Sequence, residues 1–180
     1  MRILPEDTAA LVIDIQEKLL PHIDNHQELI KNCQTLLSGL TILDIPIVIT
    51  EQYPKGLGPT VTAISQLIPE FKPIEKLSFS CCGNDHFLKT LHTLGKRNIS
   101  VCGIEAHVCV LQTVIDLIER GYHPVLIEDC VSSRKPSDRE IALKRLARER
   151  AIITTYESIL FELCQVAGTD EFKAISKLVK

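Results

Sequence analysis

No apolar run in this 180-residue chain approaches the roughly 20 residues needed to cross a bilayer. Positive charge is not in excess either. Twenty Lys and Arg stand against 23 Asp and Glu, a net charge of −3, so no basic field exists to hold nucleic acid by its phosphates. The densest cationic cluster, Lys144, Arg145, Arg148 and Arg150, is interrupted by Leu146, Ala147 and Glu149 and reads as the solvated face of one helix. Glycine and proline are few, 8 and 9, which excludes collagen-like and low-complexity chains. The N-terminus places Glu6 and Asp7 before its first apolar run and lacks a basic leader with a small-residue cleavage site. A cytoplasmic protein without a membrane partner is expected. The seven cysteines (Cys33, Cys81, Cys82, Cys102, Cys109, Cys130 and Cys164) are odd in number and sit mostly in apolar segments. They read as reduced core thiols rather than a disulfide framework.

What is present is a rhythm. With 45% hydrophobic and 24% charged residues, the chain can bury a sizeable core, and a single domain over residues 1–180 is expected. Ala9 to Ile15 is a continuous apolar run, read as a strand buried on both faces. His26 to Leu43 repeats apolar residues at three-and-four spacing and predicts a helix. Further strands are expected at Ile45–Thr50, Ile74–Leu77, Ile99–Ile104, Pro124–Glu128 and Ala151–Thr154. Helices are expected at Asn84–Lys96, at Val108–Arg120 with Gly121 as its C-cap, and from a capping box at Ser137-Asp138-Arg139-Glu140 to Glu149. The turn-rich stretch Glu51 to Pro59 reads as a loop, and the C-terminal remainder as mostly helical. Strands alternating with helices predict a three-layer α/β/α sandwich on a six-stranded parallel sheet, a Rossmann-like architecture.

In such sheets ligands bind beyond the carboxyl ends of the strands. Asp14 follows the first strand, Glu51 and Gln52 the second, Lys76 ends the third, and Glu105 to Cys109 follow the fourth. Familiar alternatives fail. The chain has no phosphate-binding Gly-x4-Gly-Lys-Ser/Thr, no Gly-x-Gly-x-x-Gly, no Gly-x-Ser-x-Gly and no Cys-x-x-Cys.

The remaining constellation is chemical. Cys109 falls in the first turn or so of a helix after a buried strand, where unpaired N–H groups and the helix dipole are expected to lower its thiol pKa. Those N–H groups could hold an oxyanion. Asp14 could accept a proton and later activate water, and Lys76 could stabilise thiolate and carboxylate. Each residue alone has an ordinary explanation: a small core thiol, a loop anchor, a solvated lysine. His107, two residues from Cys109 on one helix, faces elsewhere.

Four segments in order resemble the isochorismatase-like family of cysteine hydrolases, which includes nicotinamidases and N-carbamoylsarcosine amidases. They are Leu11-Val12-Ile13-Asp14-Ile15-Gln16, Glu51-Gln52-Tyr53-Pro54-Lys55-Gly56-Leu57-Gly58, Ile74-Glu75-Lys76-Leu77-Ser78-Phe79-Ser80 and Gly103-Ile104-Glu105-Ala106-His107-Val108-Cys109-Val110. The second is similar to the subgroup called isochorismatase domain-containing proteins. The resemblance spans essentially the whole chain. It implies Asp14 as base, Lys76 as electrostatic partner and Cys109 as nucleophile. It also implies a cis peptide between Ile104 and Glu105, and the amides of Glu105 and Cys109 as oxyanion donors. Gln16, Gln52, Tyr53, Phe79 and Ala106 become the candidate substrate contacts, and a homo-oligomer, dimer or tetramer, is implied. Nicotinamidases hold a metal through an Asp-x-His and a further His. The loop after Thr50 has no His, so neither metal nor cofactor is expected. Ala106 replaces the family's usual Thr and Glu105 a small residue, which argues against a pyridine-carboxamide pocket. The expected activity is hydrolysis of a small non-peptide C–N bond through a thioester. The alternatives are ether or ester hydrolysis and a silent interaction protein on the same scaffold.

Overall fold

The computed structural model describes all 180 residues. A six-stranded parallel sheet has the order β3-β2-β1-β4-β5-β6. Its strands are β1 (Thr8–Ile13), β2 (Ile47–Gln52), β3 (Ile74–Lys76), β4 (Asn98–Ile104), β5 (His123–Ser132) and β6 (Ile152–Thr154). The helices are α1 (His26–Ile42), α2 (Pro54–Leu57), α3 (Thr62–Ser65), α4 (Asp85–Leu94), α5 (Leu111–Glu119), α6 (Pro136–Arg148), α7 (Tyr156–Cys164) and α8 (Asp170–Leu178).

The layers follow from side-chain alternation. Every residue of β1 and β4 is buried, because helices cover both faces of the sheet. Ala10, Val12 and Ile49 pack towards α1, α3, α7 and α8, whereas Leu11, Ile13 and Val48 pack towards α4, α5 and α6. Helix α1 buries Leu29, Cys33, Leu36, Leu37 and Leu40 on one stripe, and each such aliphatic side chain contributes about 1.5–3 kcal/mol relative to exposure. All seven cysteines are unpaired, and six are buried in these layers.

The chain begins mid-sheet at β1, steps outward to β3, then returns to lay β4 on the other side of β1. The switch point therefore lies between β1 and β4, and the crevice of such sheets opens there. Gly103 makes the close approach possible. Its φ is +123°, and a Cβ at this position would lie 2.1 Å from the Ile13 carbonyl oxygen.

Several boundaries differ from expectation. Ladder pairing with β3 carries β2 through Glu51 and Gln52, residues expected in a loop, and Pro54 opens a single helical turn. Strand β1 stops at Ile13 because Asp14 turns into the left-handed region at φ +54°. Strand β5 runs on to Ser132, paired with Ile104 past a register shift in which extra residues of β5 lie between Leu126 and Val131. The capping box at Ser137 is not used. Helix α6 starts at Pro136, with Lys135 as a cap that makes no side-chain bond, because proline suits the first helical position. Side-chain caps at Asn84, Thr155 and Thr169 do start α4, α7 and α8. The basic residues of α6 lie in solvent as expected, Lys144 pairing with Glu140 and Arg145 with Glu149 one turn away.

Candidate active site

Three strand ends meet at the switch point. Asp14 is fully buried directly after β1. Its Oδ2 accepts a hydrogen bond from Lys76 Nζ at 2.7 Å, and its Oδ1 accepts one from Thr50 Oγ1 at 2.8 Å. The left-handed backbone at Asp14 is one that aspartate tolerates better than most side chains. Lys76, the last residue of β3, is buried although charged. Its ammonium also reaches Gln52 Oε1 at 2.8 Å and the carbonyls of Phe79 and Ser78 at 3.1 and 3.3 Å. Burial alone would lower the Lys76 pKa. The charges of Asp14, Cys81 and Cys109 outweigh it, and the net direction is upward.

Cys109 is 6% exposed and sits in a π-helical turn, Ala106–Val110, that runs directly into α5. The helical segment thus opens two residues before the expected Val108, and π-turns inside helices concentrate at functional sites. The expected lowering of the thiol pKa does not occur. Burial raises it, the Asp14 charge raises it further, and Lys76 offsets only part of this. The helix-terminus argument considered one element alone and left out the carboxylate delivered from β1. A second thiol, Cys81, lies 3.7 Å from Thr50 Oγ1 and is pushed up to about 11 by burial, against the opposing charge of Lys76.

The peptide Ile104–Glu105 is cis. The Glu105 carbonyl accepts from the amides of Val108 and Val110, while its own N–H donates to no acceptor in the chain. The bulk of Glu105 is turned away from this corner. Its carboxylate accepts bonds from the Arg134 backbone amide at 3.0 Å and from Arg134 Nε. His107 faces elsewhere, its Nδ1 2.9 Å from Ser133 Oγ and its Nε2 3.8 Å from Asp138.

The other candidates divide. Tyr53 and Phe79 are 51% and 55% exposed. Tyr53 holds a left-handed φ of +38° and its ring lies over Gly56, where a Cβ would fall 2.4 Å from the ring. A cavity of about 520 Å³ is lined by Tyr53, Pro54, Lys55, Lys76 and Leu77 among others. Ala106 is buried. Gln16 is a correction. It is fully buried, its Nε2 donates to the carbonyls of Gln52 and Gly58, and its Oε1 accepts from the Gln52 amide, so both ends hold the loop and neither is open to a substrate. Thr50, which secures Asp14, was not singled out from the sequence. Its signal was there, since Val48, Thr50 and Gln52 alternate onto one face and turn polar towards the strand end.

No group of three or more His, Cys, Asp or Glu side chains is assembled as a metal site, and no helix is long and apolar enough to cross a membrane. The isochorismatase domain family model matches residues 8–158. A Phytophthora sojae protein named secreted isochorismatase effector Isc1 is 37% identical over 99% of this chain and 87% of its own length. The solved structure of a Caenorhabditis elegans protein described as MAR1 ribonuclease superposes with a TM-score of 0.93 at 40% identity, covering 99% of this chain and 92% of that one. The Escherichia coli YcaC gene product, described as an octameric hydrolase of unknown specificity, shares the fold with a TM-score of 0.93 at 21% identity, covering 99% and 90%.

Proposed function

This chain belongs to the isochorismatase family, whose fold places it among hydrolases, and we propose that it is a cysteine-dependent hydrolase of a small, non-peptide C–N bond. The observation that carries this reading is the buried Lys76–Asp14 pair at 2.7 Å, whose two charges both act on the Cys109 thiol.

At rest Cys109 is a neutral thiol. Its proton passes to Asp14 as sulfur attacks the carbonyl carbon. The charge that leaves the carboxylate ends on the carbonyl oxygen as the sulfur–carbon bond forms, so no net charge is created in the buried site. The tetrahedral oxyanion is held by the free N–H of Glu105 and the amide of Cys109. Collapse expels the amine, protonated by Asp14, and leaves a thioester. Water then adds, giving its proton to Asp14, and the acid departs with the thiol restored. Tyr53 and Phe79 meet the substrate; the cavity beside Lys76 has room for a small molecule, with Tyr53 but not Cys109, Asp14 or Phe79 in its lining. The whole chain, residues 1–180, acts as one domain without cofactor or metal. It self-associates, as the E. coli protein of this fold does in its octamer. Seven unpaired thiols suit a reducing compartment, and we place the enzyme in the cytoplasm, although the Phytophthora relative is by its name secreted.

The description of the nematode relative favours a second reading, cleavage of RNA. The net charge of −3 and the near-complete burial of Cys109 speak for the small amide. One experiment separates the two. The protein is incubated with a panel of small amides and, in parallel, with RNA, quenched in acid and weighed by mass spectrometry. An acyl adduct on Cys109 with the amides, and loss of turnover in Cys109→Ala with circular dichroism unchanged, is the expected result. RNA cleavage that survives Cys109→Ala, with no adduct from any amide, would overturn the proposal.

A further inference from the structure

The family resemblance implied Gln52 as a substrate contact, but its hydrogen bonds point to a different task. Gln52 and Lys76 are register partners on adjacent strands, so their side chains leave the sheet side by side. Lys76 Nζ has three protons and four oxygens within reach: Asp14 Oδ2, Gln52 Oε1, Phe79 O and Ser78 O. The two carbonyls belong to the segment that follows Lys76 itself. Asp14 is the group that Lys76 serves. Gln52 is therefore the one acceptor that ties the ammonium to β2 independently of both.

The orientation of the Gln52 amide is set by chemistry. A lysine only donates, so Oε1 must face it, and Nε2 is left to donate to the Leu77 carbonyl at 2.8 Å. Oε1 and one of the two Nε2 protons are thus engaged within the chain. The backbone is held as firmly, because Gln16 accepts from the Gln52 amide at 2.7 Å and donates to its carbonyl at 3.0 Å. Gln16 in turn reaches Gly58, which fixes the loop above the site.

We propose that Gln52 is a positioning residue, held by Gln16, that keeps the Lys76 ammonium against Asp14 and Cys109, and that it does not touch the substrate. This rests on the reading of Cys109 as nucleophile. The titratable groups facing Lys76 are Asp14, Cys81 and Cys109, so a lysine that drifts leaves an anion without its counter-charge at each step.

Iodoacetamide, itself a small amide electrophile, is the probe, and the thiol of Cys164, the one cysteine that is not buried, is the internal reference. In Gln52→Met the maximal rate of Cys109 alkylation should fall roughly tenfold, the equivalent of about one unit in the thiol's ionisation. The half-saturating iodoacetamide concentration should not change. The double variant Gln52→Met with Lys76→Met should be no slower than Lys76→Met alone, since Gln52 acts only through the lysine. A raised half-saturating concentration with an unchanged maximal rate would make Gln52 a substrate contact and overturn the proposal, and so would full additivity. If Gln52→Met does not fold, the exchange rate of the Lys76 ammonium protons, measured by NMR in the milder Gln52→Asn, whose shorter amide does not reach the ammonium, decides instead: faster exchange supports the clamp and unchanged exchange removes it. If wild-type Cys109 reacts no faster than Cys164, the nucleophile reading itself fails, whatever Gln52 does.

Discussion

Two lysine–carboxylate pairs in this molecule differ chiefly in where they are. Lys144 and Glu140 sit one turn apart on α6, with side chains 68% and 65% exposed. Lys76 and Asp14 come from different strands, with side chains 1% and 0% exposed. The surface pair is screened by water and salt and adds little. The buried pair has lost its hydration and survives because its oxygens and protons are matched: Thr50 on one carboxylate oxygen, Lys76 on the other, and Gln52 with two carbonyls around the ammonium. A buried pair of this kind contributes little net stability compared with a hydrophobic filling, yet breaking it is costly. In the proposed reaction its value lies in the charge it holds beside the Cys109 thiol.

The contrast between the pairs is tested most directly at the lysine. Lys76→Met should cost roughly 3–5 kcal/mol, because it strands the Asp14 carboxylate in the interior; urea unfolding measures this, and a loss no greater than that of a surface substitution would remove the contrast. Thiol by thiol, a smaller effect comes from alkali. The folded chain keeps its thiols protonated above their ordinary value of 9.0, because burial raises Cys81 and Cys130 to about 11 and Cys82 to about 12. The unfolded chain releases those protons at 9.0, so it binds fewer than the folded chain above that point, and stability falls as pH rises. Between pH 9 and 11 each such thiol should remove about 1.4 kcal/mol per pH unit, and Lys76, also raised, loses its contribution in the same direction at higher pH. Unfolding midpoints between pH 8 and 11 test this, and a flat profile would contradict it. The smallest effect belongs to the surface pair, where Lys144→Ala should leave the melting temperature unchanged within error.

The same contrast explains what could be read from the sequence. Strands buried on both faces and helices with a three-and-four stripe write their period into neighbouring residues, so the six-stranded parallel sandwich was legible. The strand-end rule led to Asp14, Lys76 and Cys109, because each lies at or just past the end of an apolar run. What was lost depended on side-by-side placement of distant segments. Gln52 and Lys76 become neighbours only through the β2–β3 register, and Thr50 meets Asp14 only because β2 lies against β1. The direction of the Cys109 shift was misread for the same reason, since a helix terminus is local and the Asp14 carboxylate is not. Gln16 looked like a site residue because it stands in the first of the four segments that carry the family resemblance. The turn of the backbone at Asp14 carries it into the loop clamp instead.

Asp14→Asn offers a test of sign. The carboxylate raises the Cys109 pKa, so if Asp14 were a passive neighbour, its neutralisation would leave Lys76 to stabilise the thiolate and Cys109 would alkylate faster. If Asp14 is the base, Cys109 must alkylate more slowly. The measurement is the rate of iodoacetamide modification at Cys109 relative to Cys164, by peptide mass spectrometry at neutral pH, in wild type and in folded Asp14→Asn. A ratio that falls by roughly a hundredfold, within the range of general base catalysis, is the predicted result. A ratio that rises would contradict the assignment of Asp14 as the base.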